Sequence, residues 1–146
     1  MKRLTLAVFI GFLMSTCSKS DDANNGNPYL PEQIFDTGTA INTNFPQYNN
    51  LQFPGNNSVI NGFGINGIVV YNSGSSYIAF ELSDPNHALQ SCSKLTVEGV
   101  IATCGCTDEK QYDILTGQVQ QGTTGQYSLK PYFVETSGNI IRVYNN

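Results

Sequence analysis

Short runs of β-branched and aromatic residues, broken by Gly, Pro, Asn and Ser, recur from residue 34 to the end of the chain. Residues 68–71 and 77–82 are two such runs, and Asn72-Ser73-Gly74-Ser75-Ser76 joins them with the chemistry of a hairpin turn. Residues 95–97 and 100–103 flank Glu98-Gly99 as a second hairpin, and residues 132–136 and 140–144 flank Ser137-Gly138-Asn139 as a third. In the last strand Ile141 and Val143 should face one side, Arg142 and Tyr144 the other. Residues 41–45 alternate and read as an early edge strand. No segment keeps the apolar period of a helix, and Pro28, Pro31, Pro46, Pro54, Pro85 and Pro131 cut the chain into short pieces. There is no internal repeat. The expectation is a small all-β sandwich or barrel of antiparallel sheets.

The N-terminus has a different pattern. Lys2 and Arg3 precede an apolar run over residues 4–14, broken only by Thr5 and Gly11, and then Ser15, Thr16 and Cys17. The run has the length of a signal-peptide core and is short for a membrane span. It resembles a bacterial lipoprotein signal: residues 1–16 would be removed and Cys17 acylated. Met14 and Thr16 depart from the usual Leu and Gly or Ala. The stretch Cys-Ser-Lys-Ser-Asp-Asp at 17–22 is similar to the start of many Bacteroidetes lipoproteins, where early acidic residues accompany surface display. Residues 17–33 hold two prolines and few apolar side chains, so they read as a lipidated flexible tether. Residues 34–146 remain as one folded domain, long enough for a core without help from metal.

Composition narrows the partners. The 146 residues carry 7 basic and 11 acidic side chains, a net charge of −4. Removing Lys2 and Arg3 leaves 5 basic residues and a net of −6, which excludes nucleic acid as an expected partner. Acyl chains rather than basic patches would hold the protein to a membrane, each buried methylene contributing roughly 0.8 kcal/mol. The expected location is the cell envelope, as an outer-membrane lipoprotein facing the periplasm or the surface. Only one histidine, His87, is present, so no site needing two can form. Asp108 and Glu109 are adjacent acids in a loop and read as solvated, and Asn56-Asn57-Ser58 is a sequon of little weight in a bacterial protein.

With Cys17 assigned to lipid, Cys92, Cys104 and Cys106 remain. An exported chain favours disulfides. Cys104 and Cys106, separated only by Gly105, are poorly spaced to pair with each other, so Cys92 should bond to one of the two. That bond closes a loop of about 15 residues and contributes roughly 3 kcal/mol.

The order Cys104-Gly105-Cys106, Tyr112-Asp113, Thr116-Gly117-Gln118, Leu129-x-x-Tyr132-x-Val134 and Gly138-Asn139-x-Ile141 resembles the second half of a Rieske domain. Asp84-Pro85-Asn86-His87 and Cys92 stand where that family has its first cluster-binding box, and residues 67–71 and 77–80 are similar to the strands that lead into it. The resemblance covers about residues 60–145 and implies a Rieske-like fold. In the family two cysteines hold one iron of a [2Fe–2S] cluster and two histidines hold the other. Carried over, the first pair falls on Asp84 and Asn86 and the second on Cys104 and Thr107. Cys104 is then the one ligand position that survives. The second box carries one extra residue, and the family's shielding proline loop falls near residues 122–125, which lack proline. The family's structural disulfide, carried over, joins Cys92 to Cys106 and leaves Cys104 as a thiol.

These readings lead to an expected envelope lipoprotein with no catalytic residues and no cofactor, acting as a binding or structural module for an unidentified envelope protein or ligand. Its distinctive face would be the loops 84–92 and 104–111. The alternative is an electron-transfer protein that retains a [2Fe–2S] cluster. No metal site is expected; the alternative is zinc held by His87, Cys92, Cys104 and Cys106, against which the one-residue gap between Cys104 and Cys106 weighs.

Overall fold

The computed structural model describes residues 26–146. The expected leader, Cys17 and the first part of the expected tether lie outside these residues. Among the described residues no helix is long and apolar enough to cross a membrane.

The domain is all-β, with every strand pairing antiparallel. The strands are β1 (Phe35–Asp36), β2 (Ile41–Asn42), β3 (Asn57–Ile60), β4 (Ile68–Asn72), β5 (Tyr77–Glu81), β6 (Leu95–Glu98), β7 (Ile101–Cys104), β8 (Gln111–Asp113), β9 (Pro131–Ser137) and β10 (Ile140–Asn145). The larger sheet runs β1-β10-β9-β5-β4-β3, with β2 also paired to β10; the smaller one runs β6-β7-β8. β5 and β9 are neighbours in the larger sheet. The whole smaller sheet and its loops are therefore an excursion between two strands that are adjacent in the larger sheet.

The three hairpins read from the sequence are present as β4/β5, β6/β7 and β9/β10. The residue 41–45 strand is corrected: only Ile41–Asn42 pairs. Asn42 ends it, because its side-chain oxygen accepts the Asn44 N–H and its carbonyl accepts the Phe45 N–H. That is the local competition by which Asn turns a chain. Packing also begins upstream of Ile34. Leu30 is buried, Asn27 donates to the Pro85 carbonyl at 2.5 Å, and Glu32 pairs with Lys130 at 2.8 Å. Residues 27–33 thus lie against the domain, while Ile34 itself is exposed.

Two cores sit on opposite faces of the larger sheet. Alternation along β4 sends Val69 to one, with Phe80, Leu82, Leu95, Ala102, Tyr112 and Leu129, so this core lies between the sheets. Ile68 and Val70 go to the other, with Ile41, Leu51, Ile60, Ile141 and Val143. β4 is buried on both faces, which explains its unbroken Ile-Val-Val run. Each buried Val, Leu or Ile among them contributes about 2 kcal/mol.

β5 ends in an acid that belongs to the fold. Glu81 is fully buried, and its carboxylate accepts four hydrogen bonds. They come from the Ile65 and Asn66 N–H groups at 2.8 and 2.9 Å, the Ser83 hydroxyl at 2.9 Å and the Tyr132 hydroxyl at 2.6 Å. This saturation is what makes a buried carboxylate tolerable. The turn it holds needs Gly64, at φ 68°, where a Cβ would lie 2.4 Å from Glu81 Oε2.

Candidate functional site

The site is built where the small sheet meets the end of β5. Leu82 leaves the sheet into the core, and Ser83 bridges to Lys94. The Asp84 N–H then donates to the Ser93 carbonyl at 2.8 Å, which fixes the start of loop 84–94. Across from it, β7 ends at Cys104, whose N–H donates to the Lys110 carbonyl at 2.8 Å and closes loop 104–110. A disulfide between Cys92 and Cys106 ties the two loops together. This is the pairing that the family resemblance implied.

Asp84 and Asn86 point inward to one network. Asp84 is fully buried, and its Oδ1 accepts the Tyr112 hydroxyl at 2.5 Å and the Asn86 N–H at 2.8 Å. Its Oδ2 is buried with no hydrogen-bond partner. Burial first, and the Asp84 carboxylate second, push the Tyr112 phenol far above its ordinary range. Asn86 uses its whole amide. Nδ2 donates to the Tyr112 hydroxyl at 3.0 Å and the Tyr127 carbonyl at 2.7 Å, while Oδ1 accepts the Gln126 and Tyr127 N–H groups at 2.7 and 2.8 Å. Asn86 therefore pins the loop expected near residues 122–125. Gly125 permits this approach: a Cβ there would stand 2.7 Å from Asn86 Nδ2.

Cys104 is the free thiol and is 1% exposed. Its sulfur donates weakly to the Cys92 carbonyl, 3.7 Å away. Burial, opposed by a hydrogen bond from the Cys106 backbone and reinforced by the neighbouring Asp84 carboxylate, pushes the thiol up to about 11. Cys104, Asp84 and the exposed Asp108 each bring one ligand-type atom to within 4.8 Å of the others. Lys110 reaches into the same place and pairs with Asp108, whose carboxyl it lowers.

Thr107 is exposed on the tip of its loop and joins none of these contacts. The extra residue of that loop is absorbed by a turn in which the Cys106 carbonyl accepts the Glu109 N–H, with Glu109 in the left-handed region at φ 43°. His87 turns toward the Gln90 amide, 2.9 Å from its Nδ1. The four-residue zinc set of His87, Cys92, Cys104 and Cys106 is not assembled, since two of its sulfurs are joined to each other.

Three participants were not singled out from the sequence. In the sequence Tyr112 stands only as part of the motif order of the resemblance, Asp108 as a solvated acid, and Lys110 has no role. The signal for Tyr112 was its place in the motif order of the resemblance, since a tyrosine buried in a strand needs a partner for its hydroxyl. Elsewhere, a cleft of about 350 Å³ lies beside Glu135 and Arg142. The Arg142 guanidinium there is paired with Asp36 and Glu135.

No family model and no curated protein matches the sequence. Among solved structures, the chain is similar to one from the complex of reduced oxygenase and oxidized ferredoxin in carbazole 1,9a-dioxygenase. The two share 23% identity over 62% of this chain and 82% of that chain, with a TM-score of 0.43. At that level the likeness assigns neither a family nor an activity to this chain.

Proposed function

We propose that this protein is an envelope lipoprotein whose Rieske-like domain has lost its [2Fe–2S] cluster and works as a non-catalytic binding or structural module. The order of its motifs, the small sheet inserted between β5 and β9 and the Cys92–Cys106 bond between the two loops support the Rieske-like reading.

One observation carries the loss of the cluster. Asn86, at the position of the first histidine, spends both ends of its amide on Tyr112 and the 126–127 backbone. Neither of its atoms is left for iron. Asp84, at the position of the first cysteine, is bonded to Tyr112 by one oxygen. Thr107, at the second histidine, stands outside the network. A cluster needs two thiolates and two neutral imidazoles, and of these positions only Cys104 keeps the right chemistry. The residues present do not fit the group, and a direct polar network takes its place in joining the loops.

A module of this kind has its distinctive surface on the loops 84–92 and 104–111, where Leu89, Thr107, Asp108 and Glu109 are exposed. Its partner would be another envelope component. The test is electron paramagnetic resonance of the protein purified without oxygen and reduced with dithionite. The expected spectrum lacks a [2Fe–2S] signal; a Rieske-type signal would return the protein to electron transfer.

A further inference from the structure

We infer that Asp84, Cys104 and Asp108 form a mononuclear site for a divalent transition metal of zinc-like chemistry. The inference deepens the module reading, because it names a ligand class for the same pair of loops.

Asp84 Oδ2 is buried and unpaired. A fully buried carboxylate oxygen with no donor is costly, and native structures rarely leave one without a use. Close to this carboxylate stand the buried Cys104 thiol and the carboxylate of Asp108, one ligand-type atom of each residue lying within 4.8 Å of the others. In a tetrahedral zinc site with Zn–S near 2.3 Å and Zn–O near 2.1 Å, ligand atoms sit about 3.5 Å apart. Closing this set asks for a small shift, and Asp108 stands on an exposed loop that can supply it. One sulfur and two oxygens, with one position open, suit a borderline-soft ion better than calcium or magnesium, which take oxygen alone.

Lys110 adds an argument about charge. Its ammonium pairs with Asp108 at the edge of the same cluster. The site is therefore one that draws a cation, and Lys110 supplies it in the metal-free chain. A metal would displace that ammonium, bind both carboxylates and release the thiol proton on forming the metal–sulfur bond.

The first box and second box of the resemblance each contribute one residue, Asp84 and Cys104, whereas Asp108 comes from the loop that is one residue longer. The site thus differs in donors and in metal from the cluster whose position it overlaps.

The experiment is titration of the disulfide-intact protein with cobalt(II), a spectroscopic stand-in for zinc, followed by competition with zinc. A thiolate-to-cobalt charge-transfer band at one ion per chain, abolished by zinc, is expected. Cys104→Ser should lose the band, and Asp108→Asn, a surface change that leaves the core alone, should weaken binding at least tenfold. Lys110→Gln removes the competing cation and should tighten it. No band at millimolar cobalt, or a band that survives Cys104→Ser, overturns the inference. So does unchanged affinity in Asp108→Asn. Absence of this site leaves the cluster-free module reading standing, whereas iron with sulfide would remove that reading first.

Discussion

Asn86 and Tyr127 hold each other by two hydrogen bonds, the side-chain amide of one meeting the backbone N–H and C=O of the other at 2.8 and 2.7 Å. The pair lies 41 residues apart in sequence and closes the loop after β8 over the inserted sheet. Asn86→Ala removes these bonds and leaves backbone groups of residues 126 and 127 unpaired. The expected cost is about 2–4 kcal/mol in urea unfolding. Hydrogen exchange should accelerate locally over residues 119–127 even under conditions where the global fold persists. Gly125→Ala should loosen the same loop by pushing on Asn86.

The disulfide has a separable share. Its loop of about 15 residues predicts a loss of roughly 3 kcal/mol for Cys92→Ser or Cys106→Ser. Equal melting temperatures for the wild-type protein and Cys92→Ser would show that the bond does not stabilise the domain.

Cys104 should behave as a buried thiol. Its pKa near 11, against an ordinary value of 9.0, lowers the thiolate fraction about a hundredfold at neutral pH. Alkylation by iodoacetamide at pH 8 is therefore expected to be slow in the folded protein and fast in urea. Rapid labelling of the native chain would contradict the burial of the sulfur.

How much of this was legible in the sequence follows from the range of each interaction. The three hairpins were readable because their turns are local and their strands alternate. β3 was not, because Asn57 and Ser58 give it a polar start and its partner β4 supplies the pairing. β8 came only from the family resemblance, since three residues carry no period of their own. The disulfide partner of Cys92 stayed open between Cys104 and Cys106 until the resemblance chose. The network around Asp84 was invisible for a different reason: it depends on which side chains long-range pairing buries together, and Tyr112 and Asn86 are 26 residues apart. Glu81 is the clearest missed signal. An acid closing the apolar run of β5 implies a set of buried donors, and those donors come from residues 65, 66, 83 and 132.

Glu81 gives a prediction of its own. Tyr132→Phe deletes one charge-assisted donor and should cost about 1.5–3 kcal/mol. Glu81→Gln sets an amide N–H₂ against donors that already point inward and should cost more. Chemical denaturation of both variants orders them; equal stability for all three proteins would refute this account of the carboxylate.

On the opposite edge, Arg142 and the Gly38 N–H hold the Asp36 carboxyl down at about 2, below its ordinary 3.8. The group's folded pKa is depressed, so its contribution to stability is present above pH 4 and is lost as pH falls toward 2. The pair is solvent-exposed and should weaken with salt. Asp36→Asn is expected to flatten that part of the acid-unfolding curve at low ionic strength, and carboxyl titration by NMR checks the pKa directly.

The lipid anchor proposed for Cys17 is open to direct test. Cys17→Ala should move the protein out of the membrane fraction, and the intact mass of the wild-type chain should carry acyl groups on Cys17.

The most direct test of the central proposal is the iron and acid-labile sulfide content of the protein purified without oxygen. The account predicts neither, with the Cys92–Cys106 bond intact. About two irons and two sulfides per chain would contradict it, and would mean that Asp84, Asn86 and Cys104 rearrange to hold a cluster.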